Sequence, residues 1–525
     1  MILKHHPLNH SLLHNLLQRT RLEIRKVSDI SSIMDNQKAV RDPSKAWTLD
    51  SMNRNVVSVQ YAVRGELAMK AEQLRQQLAE NPASLPFKHI TNCNIGNPHQ
   101  LGQKPITFFR QVTSLLEYPN LLSDLNRALV SKLYPSDTID RAKTLLKSIE
   151  GGVGAYTHSQ GIAAIRKDVA RFIEDRDGYP ANPDHIYLTA GASPGVQLVL
   201  QSLIQTSNVG IMIPIPQYPL YTASIALFNG TPVPYYLDEE KDWSLSAQEL
   251  TRSIKEARDQ GVDVRALCVI NPGNPAGQCL SEDNMKDIIE FCHREKIVLL
   301  ADEVYQTNIY VSRLPFHSFK KVLKSMGPQY EGQELVSFHS ISKGVVGECG
   351  RRGGYFECVG IAKAVMEMLY KIASVSLCPP VQGQVLVDLM VRPPRRGEAS
   401  YPLYIKETRE IYESLRRRAS KLANAFNSLE NVTCNDAQGA LYLFPQIRLP
   451  EQAIEAANKA GKTPDDFYAL EMLAATGVCV VSGSGFGQKK GTWHFRSTFL
   501  PAEATFDEFI GHIRTFHAHF MDTYR

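Results

Sequence analysis

The chain has 525 residues, of which 43% are hydrophobic, 21% charged and 8% aromatic, with a formal net charge of +4. That length exceeds what one small core organises, so at least two domains are expected. The weak charge, the lack of a basic stripe interleaved with aromatics, and the absence of any run near the roughly eighteen apolar residues of a membrane span argue against nucleic-acid and membrane partners. The nine cysteines form no CxxC pair and no regular spacing, which reads as reduced thiols rather than a disulfide framework.

The opening stretch MILKHHPLNHSLLHNLLQRTRLEIRK carries Lys4, Arg19, Arg21, Arg25 and Lys26 against one acid, Glu23. Leu12, Leu13, Leu16 and Leu17 recur there at helical spacing. A basic amphipathic leader over residues 1–45 reads as a mitochondrial presequence directing the protein to the matrix, with a cytoplasmic extension as the alternative. Next, RNVVSVQYAVRGELAMKAEQLRQQLAENP reads as a short extended piece followed by a helix. From about residue 150 strands and helices alternate. DHIYLTAGASPGVQLVLQSLI is a strand, a turn and a helix, and VGIMIPIPQYPLY is an apolar strand running into a proline- and tyrosine-rich loop. VRALCVINPGNPAG is a buried strand broken by a turn, followed by a helix in SEDNMKDIIEFCHREK with Ser281 as N-cap. IVLLADEVY and ELVSFHSISK are two more apolar strands. This alternation indicates a parallel sheet covered on both faces, an α/β fold. VRPPRRGEASYP marks a boundary, after which a long charged helix and the candidate strands ALYLFPQI and TWHFRSTFL suggest a smaller α+β domain.

Polar residues collect where the apolar strands end, which is where open parallel sheets bind ligands. The turn TAGASPG opens a helix, so the N–H groups of Ala192 and Ser193 and the Ser193 hydroxyl suit an anion, although most such turns are only turns. Asp302 ends a strand and needs a positive partner or donors, because an unpaired buried charge is costly; a structural salt bridge would also satisfy it. Tyr305, Asn274 and Lys343 each admit an ordinary structural role when taken singly. Together they meet the needs of a pyridine aldehyde phosphate: a lysine for the aldehyde, a carboxylate for the ring nitrogen, donors for the phenolate oxygen, an aromatic face and a phosphate cup. Lys343, Asp302, Tyr305 with Asn274, Tyr218, and Ser193 with Ser340, Ser342 and Arg352 supply these in turn.

The order NPxNPxG, ADEVY and SxSKxxxGxxxxRGG resembles the fold-type I aminotransferases, which use pyridoxal 5'-phosphate. Within them, YAVRGEL, CNIGNPHQLGQKPITFFRQV, GGVGAYTHSQGI, INPGNPAGQCLS, SISKGVVGECGRRGGY, RPPRRGEASYPLY and SGSGFGQKKGTWHFRSTFL are similar to the alanine aminotransferases and their glyoxylate-using relatives. The resemblance runs from about residue 50 to the C-terminus. It implies a large domain over 126–400 around a mostly parallel seven-stranded sheet flanked by helices. It also implies a smaller α+β domain built from both chain ends, over 46–125 with an N-terminal arm and over 401–525, and a homodimer.

Residue by residue, it implies Lys343 as the covalent lysine, Asp302 as partner of the pyridine nitrogen, Tyr305 and Asn274 as donors to the phenolate oxygen, and Tyr218 as the stacking ring. Ala192, Ser193, Ser340, Ser342 and Arg352 would hold the phosphate, with Tyr156 lent to the neighbouring subunit's phosphate. Arg496 would grip the substrate α-carboxylate, with Gly96 and Asn274 beside it. Family members often carry an aromatic residue where Arg351 stands, so Arg351 is expected to be a surface or interface charge. The implied substrates are amino acids and 2-oxo acids: L-alanine with 2-oxoglutarate first, glyoxylate as the alternative acceptor. Another reaction of the same cofactor and a non-enzymatic ligand sensor are the remaining alternatives. GSGFG lacks the Lys-Ser/Thr ending of a phosphate-binding P-loop, GASPG has no ordered His and acid after it, and no HExxH or clustered histidines announce a metal site.

Overall fold

The computed structural model describes residues 46–61 and 65–525. The leader read as a presequence lies outside the described residues, as does Arg64 of YAVRGEL.

Seven strands form the central sheet: β1 (Ile186–Thr189), β2 (Val209–Ile215), β3 (Thr231–Tyr236), β4 (Asp263–Ile270), β5 (Val298–Asp302), β6 (Leu335–Ser340) and β7 (Gly354–Val359). Their order across the sheet is β1-β7-β6-β5-β4-β2-β3. The pairs among β3, β2, β4, β5 and β6 are parallel, whereas β7 runs antiparallel to both β6 and β1. The expected mostly parallel seven-stranded sheet is therefore present. The alternation of strand side chains divides two apolar cores. Ala266, Cys268 and Ile270 of β4 pack with Val196, Val199 and Leu200 of the helix Ala192–Leu203 on one face. Leu267 and Val269 pack with Ile288, Ile289 and Cys292 of the helix Glu282–Glu295 on the other. Ser281 caps that second helix as expected, its Oγ accepting the Asn284 N–H at 3.2 Å.

Parallel strands bring their carboxyl ends to one edge of the sheet, so β1, β2, β4, β5 and β6 all deliver the residues that follow them to the same place. Because β7 runs backwards, its beginning reaches that edge, with Gly354 facing both Thr189 and Ser340. The reversal carries Arg352, just ahead of β7, to the ends of β1 and β6.

A further core joins Leu67, Ala71, Leu74 and Leu78 of the helix Glu66–Glu80 to Leu422 and Phe426 of the helix Tyr401–Asn427 and to Phe516 and Phe520 near the C-terminus. Thr91–Asn92 pairs in parallel with Val478–Cys479, while Phe495–Thr498 lies between Tyr442–Leu443 and Val481–Ser482. This antiparallel group sets Arg496 against the sheet edge. The sequence expectation of an extended piece at RNVVSV is corrected: Arg54–Ser58 is a short helix, begun by Asn53, whose side chain accepts the Asn55 N–H at 2.9 Å. Local capping there outweighs the β-branched character of Val56 and Val57.

Candidate active site

The strand ends and the Arg496 strand enclose a cavity of about 440 Å³. Lys343 projects into it from the turn after β6, its Nζ donating to the Gly96 carbonyl at 2.9 Å. That turn is anchored on both sides. The Gly344 N–H donates to Asn308 Oδ1 at 2.9 Å, and buried Glu348 pairs with Arg110 at 2.7 Å. A Cβ on Gly96 would stand 2.9 Å from the lysine Nζ and nearer still to the Tyr442 hydroxyl, so a side chain there would have to displace one of them.

Asp302 closes one end of the cavity. The Tyr221 hydroxyl donates to its Oδ2 at 2.9 Å, while Oδ1 is buried without a partner among the described residues. Burial pushes this carboxyl up to about 6, against the opposing pull of the Tyr221 and Val304 donors and the Lys343 charge. A buried acid with an unused oxygen facing a cavity is the signature of a position that expects a cationic or N–H partner.

At the other end, the helix Ala192–Leu203 starts immediately after Gly191, whose φ is +91°. Its first N–H groups have no intrahelical acceptors. Arg352 lies across them, with Nη2 donating to the Ala190 carbonyl at 3.0 Å and Nη1 to the Cys349 carbonyl at 2.8 Å. A Cβ on Gly191 would strike that guanidinium. The Ser340 Oγ accepts the Ser342 N–H at 3.0 Å, and Ser193, Ser340 and Ser342 all line this end. Positive charge, free helix N–H groups and hydroxyls converge as they do where a phosphate binds.

Arg496 is 1% exposed yet has no carboxylate partner among the described residues. Its Nη1 donates to Asn274 Oδ1 at 2.8 Å and its Nη2 to the Asn94 carbonyl, and Nε has no partner among the described residues. The guanidinium carbon lies 4.2 Å from the Tyr442 ring centre and 4.7 Å from that of Phe486. A buried guanidinium held by neutral groups alone retains its charge for an incoming anion. Tyr305 donates to the Tyr442 hydroxyl at 3.1 Å, and burial raises the Tyr305 phenol well above its usual value. Burial would raise Tyr442 too, but the Lys343 and Arg496 charges and the Tyr305 bond outweigh it and bring that phenol below the ordinary range.

The cavity thus gathers Gly96, Ala192, Ser193, Tyr218, Asn274, Asp302, Tyr305, Ser340, Ser342, Lys343, Arg352 and Arg496. Tyr156 stands apart at 79% exposure. Arg351 is exposed and outside the cavity wall. Sequence reasoning missed Tyr442, Tyr221, Asn94 and Tyr61, whose hydroxyl meets that of Tyr218 at 2.9 Å. Tyr221 was within reach, since QYPLY sets two tyrosines at helical spacing. Tyr442 looked like one more apolar residue of a strand, and only its pairing with the Arg496 strand reveals it.

Residues 128–513 match the family model described as aminotransferase class I and II. The chain belongs to this family. Over 486 residues the aminotransferase is 55% identical to a Dictyostelium discoideum protein named probable alanine aminotransferase, mitochondrial, spanning 92% of this chain and 90% of the relative. Over 481 residues it is 51% identical to glutamate–glyoxylate aminotransferase 1 of Arabidopsis thaliana, spanning 91% of this chain and 98% of the relative. Among solved structures, an alanine aminotransferase from Pyrococcus furiosus superposes with a TM-score of 0.70, at 22% identity, over 89% of this aminotransferase and 100% of that chain. At that identity the match speaks for the fold. Among the described residues no helix is long and apolar enough to cross a membrane.

Proposed function

We propose that this aminotransferase interconverts L-alanine and 2-oxoglutarate with pyruvate and L-glutamate, using pyridoxal 5'-phosphate. The observation that carries the reading is Lys343 standing in one cavity with Asp302 and Arg496, where among the described residues Asp302 Oδ1 has no partner and Arg496 bonds only to neutral groups. Relatives at 55% and 53% identity named alanine aminotransferase support the substrate pair.

The residues fit the cofactor. Asp302 would meet its ring nitrogen, Asn274 and Tyr305 its phenolic oxygen, and Tyr218 its ring face. The Ala192–Ser193 helix start would take its phosphate with Ser340, Ser342 and Arg352. When bound, it supplies the electron sink that lets an amino acid lose its Cα proton. The chain's own work is then positional and acid–base. Arg496, aimed by Asn274 and the Asn94 carbonyl, fixes the α-carboxylate and so fixes which Cα bond faces Lys343. The Lys343 amine takes the Cα proton and later returns one, moving between Gly96 and the substrate. Asp302, made hard to ionise by burial, regains a favourable charged state opposite a cation. The donor leaves as its oxo acid before the acceptor enters, so the kinetics are ping-pong.

Tyr156 lies exposed on the surface, as do Leu125, Leu129 and Val375. These exposed apolar groups support a homodimer in which Tyr156 reaches the phosphate of the neighbouring subunit. Relatives named mitochondrial support a matrix location delivered by the basic leader. A panel of amino donors and oxo acceptors on the purified protein tests the substrate reading: alanine with 2-oxoglutarate should yield pyruvate and glutamate. Turnover with glyoxylate and none with that pair would move the assignment to the glutamate–glyoxylate relatives.

A further inference from the structure

Tyr442 touches more of the working groups than any role in the proposed reaction has so far used. It is 2% exposed and lines the cavity, and it lies on the two-residue strand Tyr442–Leu443 that pairs with Phe495–Thr498, the strand bearing Arg496. Its ring is the nearer of the two that the Arg496 guanidinium lies over, at 4.2 Å against 4.7 Å for Phe486. Its hydroxyl meets Tyr305 at 3.1 Å. A Cβ on Gly96 would run into both the Tyr442 hydroxyl and Lys343 Nζ, so both groups lie beside that glycine, and the Lys343 charge acts on the Tyr442 phenol. One side chain therefore lies against the arginine and the phenol and close to the lysine.

We propose that Tyr442 is a positioning residue with two separable parts, its ring setting the plane in which Arg496 receives a carboxylate and its hydroxyl setting where the Lys343 amine points. The ring part follows from the lack of an acidic partner. Among the described residues Arg496 has only Asn274 and the Asn94 carbonyl to orient it at its Nη atoms, so the orientation of its plane is left to the aromatic faces. Losing face contact with a desolvated arginine of this kind should weaken carboxylate binding about tenfold. The hydroxyl part follows from Lys343 having one fixed acceptor, the Gly96 carbonyl, which the amine must leave to reach a substrate. The groups that face the Tyr442 phenol are Lys343 and Cys349 from the turn after β6, Arg496 from the paired strand, Tyr305 from the segment after β5, and Tyr218 from the loop after β2. The two cations among them favour its ionised form, so this phenol should titrate below the other buried tyrosines.

The inference rests on the aminotransferase reading for its kinetic arm and not for its binding arm. Tyr442→Phe keeps the ring and removes the hydroxyl, while Tyr442→Leu removes both. With alanine as donor, Tyr442→Phe should lower kcat at least tenfold with KM held within about twofold, whereas Tyr442→Leu should also raise KM about tenfold. Without any substrate or cofactor, binding of propanoate, a carboxylate with no amino group, should survive in Tyr442→Phe and weaken about tenfold in Tyr442→Leu. The tyrosinate absorbance of the cofactor-free protein should lose its earliest-titrating component in Tyr442→Phe. If Tyr442→Phe matches the parent in kcat, or keeps the parent's earliest-titrating component, the hydroxyl role is wrong. If propanoate binds Tyr442→Leu as tightly as the parent, the ring role is wrong. Should the parent fail to transaminate alanine, the propanoate and titration results still decide the inference. Tyr442→Phe differs by one buried hydroxyl, so it decides the hydroxyl role even if Tyr442→Leu does not fold.

Discussion

At the residue scale, Asp302 shows how a site is held in readiness at the expense of stability. Its carboxyl ionises at about 6 in the folded chain instead of the ordinary 3.8, because burial opposes the charge more than Tyr221, Val304 and Lys343 favour it. The folded state therefore binds the proton more tightly than the unfolded state. Between about pH 4 and pH 6 the cofactor-free protein should lose stability as pH rises, and it should not recover that loss above the window. Asp302→Asn removes the ionisable group. Denaturant titration at pH 7 should find the cofactor-free variant more stable, by on the order of 2–3 kcal/mol, while its transamination falls by at least about 100-fold. A variant less stable than the parent at pH 7 would show that the aspartate is structural. Asp302 was legible in the sequence as a charged residue ending an apolar strand, and the family resemblance alone gave it an expected partner. Tyr442 was not, because a tyrosine in an apolar segment reads as core until a tertiary neighbour gives its hydroxyl something to do.

At the scale of elements, the site exists because several strands stop at one edge and one strand starts there. The apolar runs β2, β4, β5 and β6 could be read from the sequence, since strands buried on both faces are nearly continuous in Val, Ile and Leu. The place of β7 between β1 and β6 could not, since pairing across the sheet is decided by distant partners. Behind β6 and β7 the sheet also buries charge. Lys320, from the helix Phe319–Ser325, pairs with Glu357 of β7 at 2.6 Å, with both side chains no more than 3% exposed. Burial raises the Glu357 carboxyl, and the Lys320 charge and hydrogen bond act against that rise. Lys320→Met should leave an uncompensated buried acid and lower stability by about 3–5 kcal/mol in denaturant melts at neutral pH. Adding Glu357→Leu should restore most of the loss. If the double variant is no better than the single, the ion pair is not what secures the helix to β7.

At the scale of the whole molecule, the family motifs carried the reading furthest, because they are local: each is a strand end and the turn after it. The motif residues meet in the cavity, apart from Tyr156 on the surface, which fits a residue whose use depends on a second subunit. What a single chain's sequence conveys least is what crosses from one end of the chain to the other, such as the Asn94 carbonyl reaching Arg496 and the helix Glu66–Glu80 packing with the C-terminal core. The central claim is that Lys343 is the lysine that holds pyridoxal 5'-phosphate in this cavity. Borohydride reduction of the protein loaded with pyridoxal 5'-phosphate, followed by peptide mass spectrometry, tests it directly. The phosphopyridoxyl mass should fall on the peptide containing Lys343 and vanish in Lys343→Ala together with turnover; a label on another lysine, with Lys343 unmodified and turnover intact in Lys343→Ala, would contradict it.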